Sequence, residues 1–171
     1  RPIMNMSVPE GESVNDAVLE EDLDTVNMSS ARNFGYSLMD CGVGARMWKL
    51  DWTDAYKNVP VAMSQLRYQG FFWNGMYFVE TQLVFGSKPA VSTFDRLGGT
   101  VERCAQIETN FPKKDIHRTL DDLPFATSAS SKLGPVFLEV YKDMCRRLNV
   151  KLAPICPVKE KAFEDSTTGV V

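Results

Sequence analysis

The sequence predicts one globular domain that mixes helices with strands, of the α/β or the α+β class. Strand-like and helix-like stretches alternate along the chain without internal repeats or low-complexity tracts. The length of 171 residues, with 44% hydrophobic and 24% charged residues, is that of an ordinary globular domain with a sizeable core.

Composition and charge argue against several classes of protein. No run of 18 apolar residues is present and the opening RPIMNMS lacks signal-peptide features, so we expect a soluble intracellular protein, in cytoplasm or nucleus, with no membrane partner. The four cysteines lack CxxC spacing and there is one histidine, which argues against a zinc site or a disulfide framework. A net charge of −3 argues weakly against a domain that binds nucleic acid by itself.

In the first half of the chain the sequence predicts a helix, a strand and a hairpin. Ser29 or Ser30 suits the N-cap of a helix that runs through Asp40. The stretch ARMWKLDW predicts a strand that ends at Asp51. The aromatic stretches LRYQGFFW and MYFVETQLVF are separated by Asn74-Gly75, which is the strongest short-range signal for a β-hairpin.

The second half predicts two helices around a pair of strands. AVSTFDRLGGTVERCAQIE predicts a helix in which Gly98 and Gly99 each cost about 1 kcal/mol and indicate close packing or a break. DIHRTL and LPFATS predict short strands on either side of Asp121 and Asp122. From Pro135 onward, apolar residues at helical spacing predict an amphipathic helix that covers a sheet.

Three aspartates stand at predicted strand ends. If the strands that carry Asp51, Asp121 and Asp122 are neighbours, the three carboxylates converge, and each close pair repels by about 1 kcal/mol in water and about 4 kcal/mol at an intermediate dielectric. A hard divalent cation with oxygen ligands, Mg²⁺ or Mn²⁺, would relieve that repulsion. The alternative is that Asp-Asp is only turn chemistry, since aspartate is a favoured turn residue.

Five motifs in order resemble the reverse transcriptases of retroelements, and DIRS-type and gypsy-like elements are the most similar. The motifs are RPIMNMS, KLDWTDAYKNVPV, QLVFGSKPAVSTF, TLDDL and EKAF, and they span essentially the whole chain. The resemblance implies an α+β fold, with a polymerase palm-like antiparallel sheet backed by helices and with partial fingers, truncated at both ends. Residues 1–44 would then be partial fingers, and residues 45–171 a palm without primer grip or thumb.

The resemblance also implies an activity and its catalytic residues. Such enzymes are RNA-directed DNA polymerases, which add deoxynucleotides to a primer 3′-hydroxyl by a two-metal mechanism. Asp51 matches the first catalytic aspartate, and Asp121 with Asp122 match the YxDD pair, so Mg²⁺ (or Mn²⁺) would be held by these carboxylates. The implied partners are an RNA or DNA template with its primer, and deoxynucleoside triphosphates.

Further residues match the nucleotide pocket of that family. Ala55 and Tyr56 match the segment under the incoming nucleotide, where the ring of Tyr56 would clash with a ribose 2′-hydroxyl, and Asp54 could contact the triphosphate through its backbone. An aromatic after a strand is otherwise a core residue. Because an aromatic gate selects deoxynucleotides, Tyr56 also disfavours a related RNA-dependent RNA polymerase.

Three more positions carry over from the family. Gly86 begins the template-and-nucleotide motif, where glycine allows close backbone approach. Arg1 matches an arginine of the fingers that grips the triphosphate. Lys161 matches a lysine near the end of the palm that can donate a proton to pyrophosphate.

Two positions depart from the family pattern and keep an alternative open. Thr119 stands where the family has tyrosine, and Pro124 removes a backbone donor from a predicted strand. The alternative is a catalytically decayed or domesticated palm that only binds nucleic acid or a protein. An unrelated α/β domain with an Asp-Asp turn is a third interpretation.

Overall fold

The computed structural model describes residues 4–154 and shows an α+β fold. Both of its small sheets are antiparallel, which confirms the α+β class over the α/β class. Within residues 4–154, no helix is long and apolar enough to cross a membrane. The helices are α1 (Ala31–Cys41), α2 (Lys88–Thr109) and α3 (Leu133–Arg147), and the strands are β1 (Arg46–Asp51), β2 (Gly70–Trp73), β3 (Met76–Val79) and β4 (Asp122–Thr127).

The chain divides into two compact units. Among residues 4–154, one unit contains residues 4–27 together with Asp54–Gly98, and the other contains Met28–Thr53 and residues 99–154. We call them the hairpin unit and the sheet unit. The division falls inside α2, between the two glycines that the sequence singles out. The assignment of residues 1–44 to fingers and 45–171 to palm stays a prediction.

The sheet unit is built on the antiparallel pair β1 and β4. Their register runs from Arg46 opposite Thr127 to Asp51 opposite Asp122. The predicted strand DIHRTL is reduced to two isolated bridges to β4, made by Ile116 and Thr119.

Pro124 accounts for this interruption. Its carbonyl accepts from the His117 N–H at 2.9 Å. The nitrogen and oxygen of one strand residue point to the same side, so the missing proline N–H also faces residues 116–119. The proline therefore weakens that outer ladder, while β4 continues beside β1 through Pro124.

Aromatic packing forms the core of the sheet unit. The rings of Phe125 and Phe137 lie 4.9 Å apart by centroid, and Phe111 and Tyr141 pack against Phe137. The predicted amphipathic helix is confirmed as α3, whose buried face includes Phe137 and Tyr141. Burial of these large rings supplies much of the stabilisation of this unit, at about 25 cal/mol per Å² of apolar surface.

The hairpin unit holds the predicted hairpin of β2 and β3. Asn74 and Gly75 have φ of 48° and 79°, the positive values that a two-residue type I′ turn needs. Asn and Gly tolerate those values, which is why this dipeptide connects the strands. The hairpin predicted from Asn74-Gly75 is confirmed.

Candidate active site: carboxylates at the end of the central strands

Asp51 and Asp122 are brought together at one end of the β1–β4 pair. They are direct partners in the register, so their side chains lie on the same face of the sheet. The backbone oxygen of Asp51 accepts from the Ala153 N–H at 2.7 Å, and Asp122 exchanges both backbone bonds with Thr119. Both residues therefore turn their backbone groups away from each other.

This geometry makes Asp51 and Asp122 a non-hydrogen-bonded pair. Such pairs bring side chains closer than the hydrogen-bonded kind, with Cβ atoms about 4.5–5.5 Å apart. Like charges at that separation repel by about 1 kcal/mol in water and more where solvent is excluded. The strand register therefore concentrates negative charge at this end of the sheet.

Lys49 partly offsets this negative charge. Its Nζ lies 2.8 Å from Asp122 Oδ2, and both side chains are about 40% exposed. Lys49 is two residues before Asp51 on β1, which places both on the same face of the strand. Sequence reasoning missed Lys49, although its spacing from Asp51 within a predicted strand was sufficient to find it.

Asp121 lies beside this pair, in a tight turn. Thr119 and Asp122 exchange backbone hydrogen bonds of 2.8 and 3.1 Å around Leu120 and Asp121. Leu120 has a φ of 55°, a conformation that leucine seldom adopts and that costs about 1–3 kcal/mol. Backbone strain of this kind is concentrated at functional sites, so the turn itself is a feature to explain.

The single histidine of the chain, His117, lies just before the turn and forms hydrogen bonds with two serines. Ser29 Oγ lies 2.7 Å from His117 Nδ1, and Ser37 Oγ lies 2.6 Å from His117 Nε2. Ser37 donates its own proton to the Lys114 carbonyl, so it accepts from Nε2–H, and in a neutral ring Nδ1 then accepts from Ser29. A neutral ring with its proton on Nε2 can make both bonds.

Ser29 also connects the His117 ring to the turn. Thr119 Oγ1 donates to the Ser29 carbonyl at 3.1 Å, and the Ser29 N–H donates to the Arg118 carbonyl at 3.3 Å. Thr119 thus holds the start of the turn by a hydrogen bond, in place of the ring that the resemblance leads one to expect. Sequence reasoning missed this network because a lone histidine carries no recognisable spacing.

Burial shifts the pKa values of His117 and Asp115, which precede the turn in the chain. Desolvation lowers the pKa of His117 below its ordinary value, although the nearby Asp115 carboxylate acts in the opposite direction. Desolvation likewise raises the pKa of Asp115, whose Oδ1 is buried without a hydrogen-bond partner among residues 4–154. Both shifts favour the neutral forms in this part of the core.

The carboxylates of the candidate site are suitable ligands for a hard divalent cation, but too few of them are grouped to hold one without other ligands. Carboxylate oxygens are the ligands that Mg²⁺ prefers, and one or two of them suffice when substrate phosphates complete the shell. Asp51 and Asp122 supply such a pair. Among residues 4–154, no three His, Cys, Asp or Glu side chains are grouped to hold an ion by themselves.

The predicted nucleotide-pocket residues of the KLDWTDAY motif lie in the hairpin unit. Tyr56 is 7% exposed, and its ring packs on Phe85 and Phe94 at centroid distances of 4.6 and 5.3 Å. Ala55 is buried beside it, whereas Asp54 is exposed with a φ of 51°. In this structure Tyr56 is a core side chain, and its role as a gate stays a prediction.

Gly86 is required by a close backbone approach within the hairpin unit. Its φ is 97°, and a Cβ there would lie 2.3 Å from the carbonyl oxygen of Met4. The Gly86 carbonyl also accepts from Asn15 Nδ2 at 2.7 Å. The glycine therefore has a structural reason in this chain, and its approach to a base pair stays a prediction. Arg1 and Lys161 lie outside the described residues.

Comparison with solved structures finds a reverse-transcriptase-like fold. A foamy viral protease-reverse transcriptase, solved in complex with double-stranded DNA, matches with a TM-score of 0.61 and 17% sequence identity. The match covers 82% of this chain, and the chain spans about a fifth (22%) of the viral one. No protein-family profile matches the chain, and no curated protein matches it in sequence. The fold is therefore α+β and palm-like.

Proposed function

We propose that this chain is the palm, with part of the fingers, of a retroelement reverse transcriptase of the DIRS or gypsy kind. It would extend a primer 3′-hydroxyl with deoxynucleotides on an RNA or DNA template. The observation that carries the proposal is the register that sets Asp51 against Asp122, next to the turn that holds Asp121. A reverse-transcriptase-like fold around this carboxylate pair supports it.

Each residue of the site would have a distinct task. Asp51 and Asp121 would hold Mg²⁺ or Mn²⁺, and Asp122 would support them from the start of β4. When bound, such ions lower the pKa of an attacking hydroxyl and neutralise the charge on transferring phosphates. The backbone bonds between Thr119 and Asp122 close the turn, so the carboxylates would be positioned before substrate arrives, which is the arrangement that efficient transfer requires.

Metal binding by the chain itself is the first test. We expect saturable Mn²⁺ binding, measured by the loss of the free-ion electron paramagnetic resonance signal, and weaker binding in Asp51→Asn and in Asp121→Asn. Asp143→Asn, which removes an exposed carboxylate on α3, is the matched control and should leave the affinity unchanged. Equal affinity in all four proteins would contradict the assignment.

Primer extension tests the reaction. A protein containing this domain should incorporate deoxynucleotides on a primed template in the presence of Mg²⁺, and Asp121→Asn should reduce the rate by at least about 100-fold. Loss of transition-state stabilisation of about 2.7 kcal/mol or more corresponds to that factor. Activity that persists in Asp121→Asn would show that the reaction does not use this turn.

A second candidate is a palm that binds without chemistry. The ion pair of Lys49 with Asp122 favours it, because that ammonium group occupies a carboxylate oxygen that a cation would need. In this case Mn²⁺ binding and primer extension would both be absent, while the folded chain would still bind nucleic acid or a protein partner.

A further inference from the structure

Asn15 is a buried side chain of the hairpin unit whose hydrogen bonds reach the start of α2. The residue is 4% exposed. Its Nδ2 donates to the Gly86 carbonyl at 2.7 Å and to Ser7 Oγ at 2.8 Å, and its Oδ1 accepts from the Lys88 N–H at 2.9 Å. We call residues 86–88, where the chain enters α2, the entry loop. One side chain therefore holds the entry loop at both of its ends.

The chemistry of these bonds requires an amide at position 15. A carbonyl oxygen only accepts and a backbone N–H only donates, so the side chain must present a donor to Gly86 and an acceptor to Lys88. An ionised aspartate has no donor, and its charge would face the Gly86 carbonyl where solvent is nearly excluded. The Lys88 N–H is also one of the helix N-terminal donors that have no partner inside the helix. Asn15 thus caps α2 from a distant part of the sequence.

A local turn holds Asn15 in place. Ser13 Oγ donates to Asp16 Oδ2 at 2.6 Å, and the Asp16 N–H donates back to Ser13 Oγ at 3.2 Å. The Ser13 N–H donates to the same carboxylate oxygen at 3.0 Å. The Asn15 N–H donates to the Met6 carbonyl at 3.0 Å. The backbone around Asn15 is therefore fixed, and its amide is aimed at the entry loop.

The entry loop adjoins residues that match the nucleotide pocket. Gly86 is one of them, and a Cβ at this position would lie 2.3 Å from the Met4 carbonyl oxygen, so the loop is also enclosed on that side. The preceding residue, Phe85, packs its ring on Tyr56 at a centroid distance of 4.6 Å. A displacement of the entry loop would therefore move the ring against which Tyr56 rests.

We propose that Asn15 is a positioning residue for the incoming nucleotide and acts through the entry loop. The inference rests on the proposed function, in which Gly86 and Tyr56 belong to the nucleotide pocket. Asn15 does not touch the nucleotide in this account. It holds the Gly86 backbone and the neighbouring Phe85 ring in one arrangement, so that little ordering has to accompany binding. Loss of its amide should therefore weaken nucleotide binding more than it slows the chemical step.

Single-nucleotide primer extension by a protein that contains this domain tests the proposal. Asn15→Asp keeps the size of the side chain and removes both donors, so the KM for the deoxynucleotide should rise at least about 10-fold while kcat changes less than about 3-fold. A merely structural role gives another pattern, because a smaller folded fraction lowers kcat per mole of protein and leaves KM unchanged. Asn5→Asp makes the same change of charge at an exposed asparagine nearby and should alter neither constant.

A second variant and a second measurement complete the test. Asn15→Ala removes the same side-chain bonds without burying a charge, and circular dichroism checks that each variant folds. Amide hydrogen exchange, followed by NMR, should be at least about 10-fold faster for the Lys88 N–H in the Asn15 variants than in wild type or Asn5→Asp.

The outcomes separate this inference from the proposed function. An unchanged nucleotide KM in folded Asn15 variants, an equal rise of KM in Asn5→Asp, or unchanged exchange of the Lys88 N–H would each overturn the role of Asn15 alone. Absence of incorporation by the wild-type protein would contradict the proposed function, and the role of Asn15 with it.

Discussion

Lys49 shows how one side chain shapes the charge at the candidate site. Its ammonium group pairs with Asp122 and lies on the face that also carries Asp51. An exposed ion pair contributes only about 0–1 kcal/mol to stability, so its main effect is on the local potential. Replacing Lys49 with Met should therefore raise the Mn²⁺ affinity of the chain several-fold, measured by the same paramagnetic titration.

The charge of Lys49, rather than its length, is the expected cause. Lys49→Arg keeps the charge and should bind Mn²⁺ like the wild type. The unfolding free energy of Lys49→Met should change by less than about 1 kcal/mol. If Lys49→Met bound the ion more weakly than wild type, the lysine would have to orient the carboxylates in a way that the ion pair alone does not explain.

The backbone conformation of Gly86 makes the unfolding free energy sensitive to substitution at this position. Ala at this position meets a positive φ of 97° and places its Cβ 2.3 Å from the Met4 carbonyl oxygen, so Gly86→Ala should lower the unfolding free energy by more than about 1 kcal/mol. Gly35→Ala is the matched control, since Gly35 lies inside α1 with open space around it and should gain up to about 1 kcal/mol. Urea denaturation compares the two, and equal effects would contradict this account of Gly86.

At the scale of elements, His117 connects α1 to the segment that precedes the carboxylate turn. Burial lowers its pKa, so the unfolded chain takes up a proton more readily than the folded chain. The stabilisation by the neutral ring is therefore complete above the unfolded pKa of about 6.5, and is lost as the pH falls through the lowered folded pKa. Asp115, whose pKa is raised, has the opposite sign, and its effect begins near its ordinary value of 3.8.

Two measurements check the expected pH dependence. Because the chain has one histidine, a single imidazole resonance reports its pKa directly by NMR. Urea unfolding between pH 5 and 7.5 should show stability falling toward pH 5 in wild type, and a flatter profile in His117→Asn, which cannot titrate. A folded-state pKa of His117 above 6.5 would reverse the sign of the pH dependence and contradict the lowering of that pKa by burial.

Short-range sequence patterns predicted individual helices and the hairpin better than they predicted the pairing between distant segments. Ser30 accepts from the Asn33 N–H as the N-cap of α1, and Asn74-Gly75 turns the hairpin, because capping and turn preferences act over a few residues. The ladder at residues 116–119 was over-predicted. Its interruption depends on which side of β4 the Pro124 nitrogen faces, and only the paired structure determines that.

At the scale of the whole molecule, the sequence predicted the palm-like fold through the order of its motifs, and it predicted the convergence of Asp51, Asp121 and Asp122 only on the condition that their strands are neighbours. It could not predict that Tyr56 is enclosed by Phe85 and Phe94, since those contacts join distant parts of the chain. The spacing of Lys49 from Asp51 was enough to place both on one face of β1, but the sequence could not show that Lys49 pairs with Asp122 on β4. Such features depend on neighbours in space, which periodicity along the chain does not specify.

The net charge of the chain determines the affinity that we expect for duplex DNA. The 19 basic residues of this chain are outnumbered by 22 acidic ones, for a net charge of −3, so no excess of positive charge favours binding to DNA phosphates. We therefore expect a dissociation constant for duplex DNA above about 10 µM at 0.15 M salt. Fluorescence anisotropy of a labelled primer–template duplex, at several salt concentrations, measures it. A basic cleft of the sheet unit, of about 320 Å³, is lined by Lys142, Arg146 and Lys151 among others.

That cleft provides the control for the charge argument. Lys142 pairs with Glu139 at 3.0 Å, and Arg146 pairs with Asp143, so neighbouring carboxylates already neutralise much of its charge. Lys151→Glu should therefore leave the weak binding of duplex nearly unchanged. Binding below about 1 µM with a steep salt dependence, lost in Lys151→Glu, would mean that local charge at the end of α3 outweighs the net charge of the molecule. In that case this cleft would be the surface that holds the duplex.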